Sequence, residues 1–335
     1  MPLWILLNSF CKTIWNDFLL LQFVVAFLSI AISAYFIKKT CPSLRFFVLL
    51  CYFIGKFSSL QMELLRESLA VAFFLLALLE LNKENIKKSI VFSCFAVLFH
   101  VFAIVPVLFF WAVYFFLPRK QWIHVIIFTV VLLITIASPS SLVKIIEQNA
   151  FLLDGFDSGL SSTVVYYATS DKYGSINKSI SQYISIISQF VVYIYMFYRF
   201  KKEYQNYILL KPRIFEVGVF IFIIMLLGRF SFTILYRIGN SYLYFWGCML
   251  AVVWTKIILK KIKRKDRVLA YLAMLLIPVV FALNVYLAYF SISGMEMRWY
   301  KRYYPYSSVF DKTIIPEREQ LHNSRGVGYS HETDY

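Results

Sequence analysis

The sequence predicts an all-α, polytopic membrane protein with about ten transmembrane helices and a long outer loop at 138–179. Three observations predict it. The 335 residues are 60% hydrophobic and 19% aromatic, with a mean hydropathy of +0.69. Only 16% are charged, whereas a soluble domain carries about 25%. The apolar residues also come in blocks close to the ~20 residues that a spanning helix needs, separated by short basic turns.

In chain order the blocks are 18–37, 44–60, 64–81, 89–117, 122–137, 180–200, 214–235, 241–259 and 268–290. The block 89–117 is too long for one straight span and short for two. His100 and Pro106 stand near its middle. It reads as two short helices meeting at a turn, or as a kinked pair that does not fully cross. The blocks make one helical domain over 1–290. A polar and aromatic tail follows at 291–335, and about fifteen residues at its end read as disordered.

The net charge is +16. Lys and Arg sit mostly in short loops between apolar blocks, so the positive-inside bias accounts for the charge better than nucleic acid does. The loop 256–267 is the most basic, with Lys256, Lys260, Lys261, Lys263, Arg264, Lys265 and Arg267, and is placed in the cytoplasm. The loop 199–213 falls on the same side because two spans separate the two. The segment 138–179 is then outside, and Arg119 and Lys120 inside. Lys83, Lys87 and Lys88 also come inside if 89–117 crosses twice. Lys38, Lys39 and Arg45 follow. One assignment satisfies every basic loop. It places the N-terminus outside, which is unusual for a chain beginning Met1-Pro2-Leu3-Trp4, so an N-terminal helix is expected to be missing.

The outer segment carries Asp154, Asp157, Asp171, Tyr166, Tyr167 and Tyr173. Tyrosines with a few carboxylates suit sugar contact; a surface-lying interfacial segment would have the same composition. The five cysteines show no disulfide or zinc spacing and read as small apolar filler. Met1 to Asp17 has no cleavable signal pattern.

The topology carries Lys56, Glu63, Arg66, Glu67, His100, Arg229 and Arg237 to one outer face, although more than a hundred positions separate the first from the last. An arginine inside a span costs about 3 kcal/mol on insertion scales. Arg229 therefore snorkels to the surface or serves a ligand or ion pair in a water-filled cavity. Glu63 and Arg66 are spaced for a local ion pair. The same helix reads either as a structural salt bridge or as an arginine held for an external anion, with Glu67 orienting it or acting as base. His100 suits proton transfer near neutral pH, and a structural imidazole is the plainer reading. Converging arginines fit a phosphate or pyrophosphate. No Walker, Rossmann or HExxH pattern occurs, nor an outer Asp-x-Asp metal motif. No metal or cofactor is expected.

Arg66-Glu67-Ser68-Leu69-Ala70 heading an apolar helix, a basic turn, then Leu98-Phe99-His100 before another helix resembles the EpsG family. Arg229, Arg237 and Tyr303-Tyr304-Pro305-Tyr306-Ser307-Ser308-Val309-Phe310 are similar to later parts of the same pattern, so the resemblance covers roughly 1–312. The family often has Gln where this chain has Glu67. Its members usually begin with a further helix and an outer loop before a segment resembling Pro2-Leu3-Trp4-Ile5-Leu6-Leu7-Asn8, which matches the missing helix expected from the loop charges.

The resemblance implies a bacterial polysaccharide polymerase related in role to the O-antigen (Wzy) polymerases. Such an enzyme is a multi-pass glycosyltransferase of the cytoplasmic (inner) membrane. It joins polyprenyl-pyrophosphate-linked oligosaccharide units at the outer face, making O-antigen, capsule or exopolysaccharide. On that reading Arg66, Arg229 and Arg237 hold the pyrophosphate, and His100 or, second to it, Glu67 takes the acceptor proton. Tyr166 and Tyr304 contact the sugar. A chain-length regulator is an expected protein partner. The rival readings are a flippase for the same lipid-linked sugars and a scaffold of an export machine. Charges gathered near one face, rather than at the midplane, favour the enzyme.

Overall fold

The computed structural model describes residues 1–56, 65–137, 148–149, 165, 180–228 and 238–258. Glu63, Arg229, Arg237, Tyr166 and Tyr304 lie outside the described residues, as do the side chain of Lys56, nearly all of 138–179, the block 268–290 and the tail. The described residues belong to one compact unit, Met1–Ile262.

Every regular element among the described residues is helical. They are α1 (Pro2–Ile14), α2 (Phe18–Thr40), α3 (Arg45–Lys56), α4 (Leu65–Asn82), α5 (Ile86–Phe99), α6 (Ile104–Phe116), α7 (Gln121–Ala137), α8 (Ile180–Arg199), α9 (Lys201–Tyr207), α10 (Pro212–Gly228) and α11 (Leu243–Ile258). Short 3-10 turns stand at Pro42–Leu44, Val101–Ala103 and Gly239–Tyr242. Only α2 among these is long and apolar enough to cross a membrane by length and composition.

Helix α4 is the centre, packed most extensively against α5 and α2. It is apolar on nearly every side, as a helix surrounded by others must be. Leu69, Ala72, Leu75, Ala77 and Leu78 are buried. Small residues let the backbones approach: Ala77 on α4 faces Ser89 on α5, whose Oγ donates to the Ala77 carbonyl at 2.7 Å. Phe74 meets the edges of Phe110 and Tyr242, both at 5.7 Å between centroids. Around this core α3 pairs with α11, while α10 packs against α6, α7, α8 and α11. Gly218 on α10 is required there: a Cβ would meet the ring of Phe245 on α11 at 2.3 Å.

Two helices were not among the expected apolar blocks. α1 packs Trp4, Leu7 and Cys11 against Leu21, Val25, Leu65, Leu69 and Phe99. Its Asn8, Ser9, Lys12 and Thr13 break the apolar run and lie exposed. α9 is a short helix inside the basic loop 199–213.

The block 89–117 forms two short helices meeting at His100. α5 ends there because His100 is extended (φ −147°, ψ 112°), its N–H still bonded to the Ala96 carbonyl at 3.0 Å. Pro106 falls in the first turn of α6, where its missing N–H breaks no helical bond. With 14 and 13 residues, each helix rises only about 20 Å, short of the ~30 Å hydrocarbon layer.

The basic segments gather at one end. The Leu209 N–H bonds to the Thr40 carbonyl at 2.7 Å. Asn82, closing α4, donates to the Leu209 carbonyl at 3.2 Å and accepts from the Lys211 N–H at 2.6 Å. Lys211 also pairs with Glu84. Arg213 donates to the carbonyls of Tyr114 and Leu117 at 2.9 and 2.6 Å, capping the C-terminus of α6 with a cation. Lys256 reaches Glu203 at 2.8 Å and Lys201 reaches Glu216 at 2.7 Å. At this end Lys211 holds the Glu84 carboxyl below its ordinary value by hydrogen bond and charge. For Glu203, burial pushes upward, but the Lys256 hydrogen bond and charge bring the carboxyl below its ordinary value.

Candidate functional site

The site lies at the opposite end. Asn82 ties the C-terminus of α4 to the basic segments, while Glu67 sits in its first turn. Fifteen residues of helix separate them, about 22 Å. α5 likewise starts beside the basic turn and delivers His100 at its far end.

A cavity opens here among Glu67, Ala70 and Val71 of α4, His100, Phe102, Ala103 and Pro106 of the α5–α6 turn, and Ile238 and Ser241 of the turn before α11. Glu67, Ala70 and Val71 are spaced i, i+3 and i+4, so they share one helix face. The space is about 40 Å³, room for about three waters. Its walls are mostly apolar. The ring of His100 lies 5.8 Å from that of Phe102.

Glu67 is 8% exposed and Asn240 3%. A carboxylate taken this far from water needs strong partners. Asn240 Nδ2 donates to Glu67 Oε1 at 2.6 Å, a short bond of the charge-assisted kind. Two residues on, the buried Tyr242 hydroxyl donates to the Pro106 carbonyl. The turn 239–242 is therefore tied to α4 by Asn240 and to α6 by Tyr242, which fixes three walls of the cavity to one another.

The two residues expected to carry proton transfer, Glu67 and His100, thus line one cavity. Arg66 does not join them. It is the residue before Glu67 on α4, about 100° around the helix, and it is exposed. Its guanidinium lies 5.9 Å from the Trp4 ring centroid, with Nη1 3.7 Å from Met1 Sδ. Arg66 remains at the same end of the bundle as the cavity. Arg229, Arg237, Tyr166 and Tyr304 fall outside the described residues. Asn240, Ser241 and Phe102 were not expected. The only sequence signal for the first two was the small polar run Gly239-Asn240-Ser241 between apolar blocks, which reads simply as a turn.

The arrangement places a carboxylate and an imidazole in a small, mostly apolar cavity, which suits holding one hydroxyl and removing its proton. No curated protein and no solved structure matches the chain. The EpsG family matches it over residues 2–308, a stretch that contains every residue of the cavity.

Proposed function

The chain belongs to the EpsG family, and from that premise we propose that it is a multi-pass membrane glycosyltransferase that polymerises lipid-linked oligosaccharide repeat units. The donor is a growing glycan on polyprenyl pyrophosphate and the acceptor is the next lipid-linked unit. The reaction takes place at the outer face of the bacterial cytoplasmic membrane. One observation carries the reading: Glu67 and His100, from different helices, share a cavity at the end of the bundle away from the basic segments. With those basic segments in the cytoplasm, the cavity faces out.

In the proposed step an acceptor hydroxyl enters the cavity and hydrogen-bonds to Glu67. His100 takes its proton as the oxygen attacks the anomeric carbon of the donor. A new C–O bond forms, and the anomeric C–O bond to pyrophosphate breaks. The bonding pair leaves with the polyprenyl pyrophosphate, whose charge is met by Arg66, Arg229 and Arg237. Tyr166 and Tyr304 contact the sugars, and a chain-length regulator sets product size.

The test is glycan chain length on a gel, in a deletion strain and in strains carrying His100→Ala or Arg229→Ala. The expected deletion product is lipid-linked material capped with one repeat unit. Units trapped on the cytoplasmic side would mean a flippase and would overturn the proposal. Long chains from Arg229→Ala at normal protein amount would remove that arginine from the mechanism.

A further inference from the structure

We infer that Asn240 is a positioning residue: it holds the Glu67 carboxylate at the cavity wall and acts on the reaction only through it. The inference rests on the polymerase reading above and names a residue which that reading does not use. Three observations carry it.

The first is the bond itself. Asn240 Nδ2 to Glu67 Oε1 measures 2.6 Å between residues 173 positions apart, both buried. The amide Nδ2 donates and the carboxyl oxygen accepts. The second is what the amide gives up. Its Oδ1 is buried without a hydrogen-bond partner among the described residues. An asparagine that served only packing would be placed to satisfy both ends, because a buried acceptor left alone is costly. This one satisfies Glu67 at its own expense. The third is the frame. Asn240 does not line the cavity, but its neighbours Ile238 and Ser241 do, and Tyr242 anchors the same turn to Pro106. The amide is thus fixed behind the wall and reaches the cavity through the carboxylate. With Oε1 engaged, the Glu67 side chain is held at the wall where a substrate hydroxyl would meet it. Fixing that acceptor in place is the kind of preorganisation worth about 100-fold in rate when lost.

The experiment is a double-mutant cycle read as polymer made by the deletion strain carrying each variant at matched protein amount. Asn240→Ala and Glu67→Ala should each lower polymer on the order of 100-fold. The double variant should fall no further than Glu67→Ala alone, because a residue acting only through Glu67 has nothing left to act on. An exchanged pair covers the case in which Asn240→Ala fails to accumulate. Asn240→Asp alone sets two carboxylates together and should lose both protein and polymer. Adding Glu67→Gln restores one donor–acceptor bond with its partners reversed. It should recover protein amount, and polymer relative to Asn240→Asp, since the amide introduced on α4 then donates to the carboxylate introduced at position 240.

Full polymer from Asn240→Ala, effects that multiply in the double variant, or an exchanged pair no better than Asn240→Asp would each overturn the inference. The deletion strain in the same gel reports the premise separately. Long chains without the protein would sink the polymerase reading itself. Capped single units there, beside full polymer from Asn240→Ala, would sink only the role of Asn240.

Discussion

The two ends of the bundle use charge differently. At the basic end cations are spent on structure. Lys201 meets Glu216, Lys256 meets Glu203, Lys211 meets Glu84, and Arg213 closes the carbonyl end of α6. These contacts tie loop to loop and helix to loop. At the cavity end the buried Glu67 is held by a neutral amide. That bond runs between a helix and a turn that both border the cavity, whereas the ion pairs at the other end join loops and helix ends.

This contrast can be broken by substitution, beginning with the largest expected effect. His100→Ala, which removes the proton acceptor, and Glu67→Ala, which removes the group that holds the hydroxyl, should each cut polymerisation on the order of 100-fold. Protein amount in the membrane should hold. Gel profiles beside an immunoblot decide it, and a lost blot signal would mean that the cavity end is structural too.

Arg213→Ala should do the reverse. It leaves the carbonyls of Tyr114 and Leu117 without their charged donor and should cost about 1–3 kcal/mol. The expected result is a lower melting temperature in detergent with chain length unchanged. Tyr242→Phe sits between the two behaviours. It strips the Pro106 carbonyl of its donor at the cavity wall and should cost about 1 kcal/mol together with a measurable drop in polymer.

The smallest effect belongs to Glu203. Its carboxyl lies below the ordinary 4.5 in the folded chain, so the Lys256 pair contributes fully above that value. The contribution fades as pH falls through the lowered folded value. The pair is partly exposed, so it should be worth no more than about 1 kcal/mol. Melting curves of wild type and Glu203→Gln should converge as the pH falls below the ordinary carboxylate range. A gap that stays constant would show that the pair is not what Glu203 contributes.

What could be read in advance divides along physical lines. Glu67 and His100 stood out because a polar group at the mouth of an apolar run is expensive and so conspicuous. The gathering of basic segments was legible from loop charge alone, through Lys83, Arg119, Lys211 and Lys256. The break at His100 was visible in the excess length of 89–117. Asn240 was not legible, because asparagine beside glycine is ordinary turn chemistry and its partner lies 173 residues away. α1 was missed because Asn8, Ser9 and Lys12 dilute its apolar face below what a span shows. Arg66 was expected at the outer face from topology; it lies at the cavity end of α4, about 100° around the helix from Glu67.

The cavity has room for about three waters. Its polar lining among the described residues is confined to Glu67, His100 and Ser241, enough to hold one functional group at a time. On the polymerase reading, a site that grips one hydroxyl meets the same thing at every cycle, whether the glycan behind it is one unit long or many. No residue of the described lining would then act as a ruler. A polymer of defined length would have to be measured somewhere else, by a surface that spans many units and tells the enzyme when to let go.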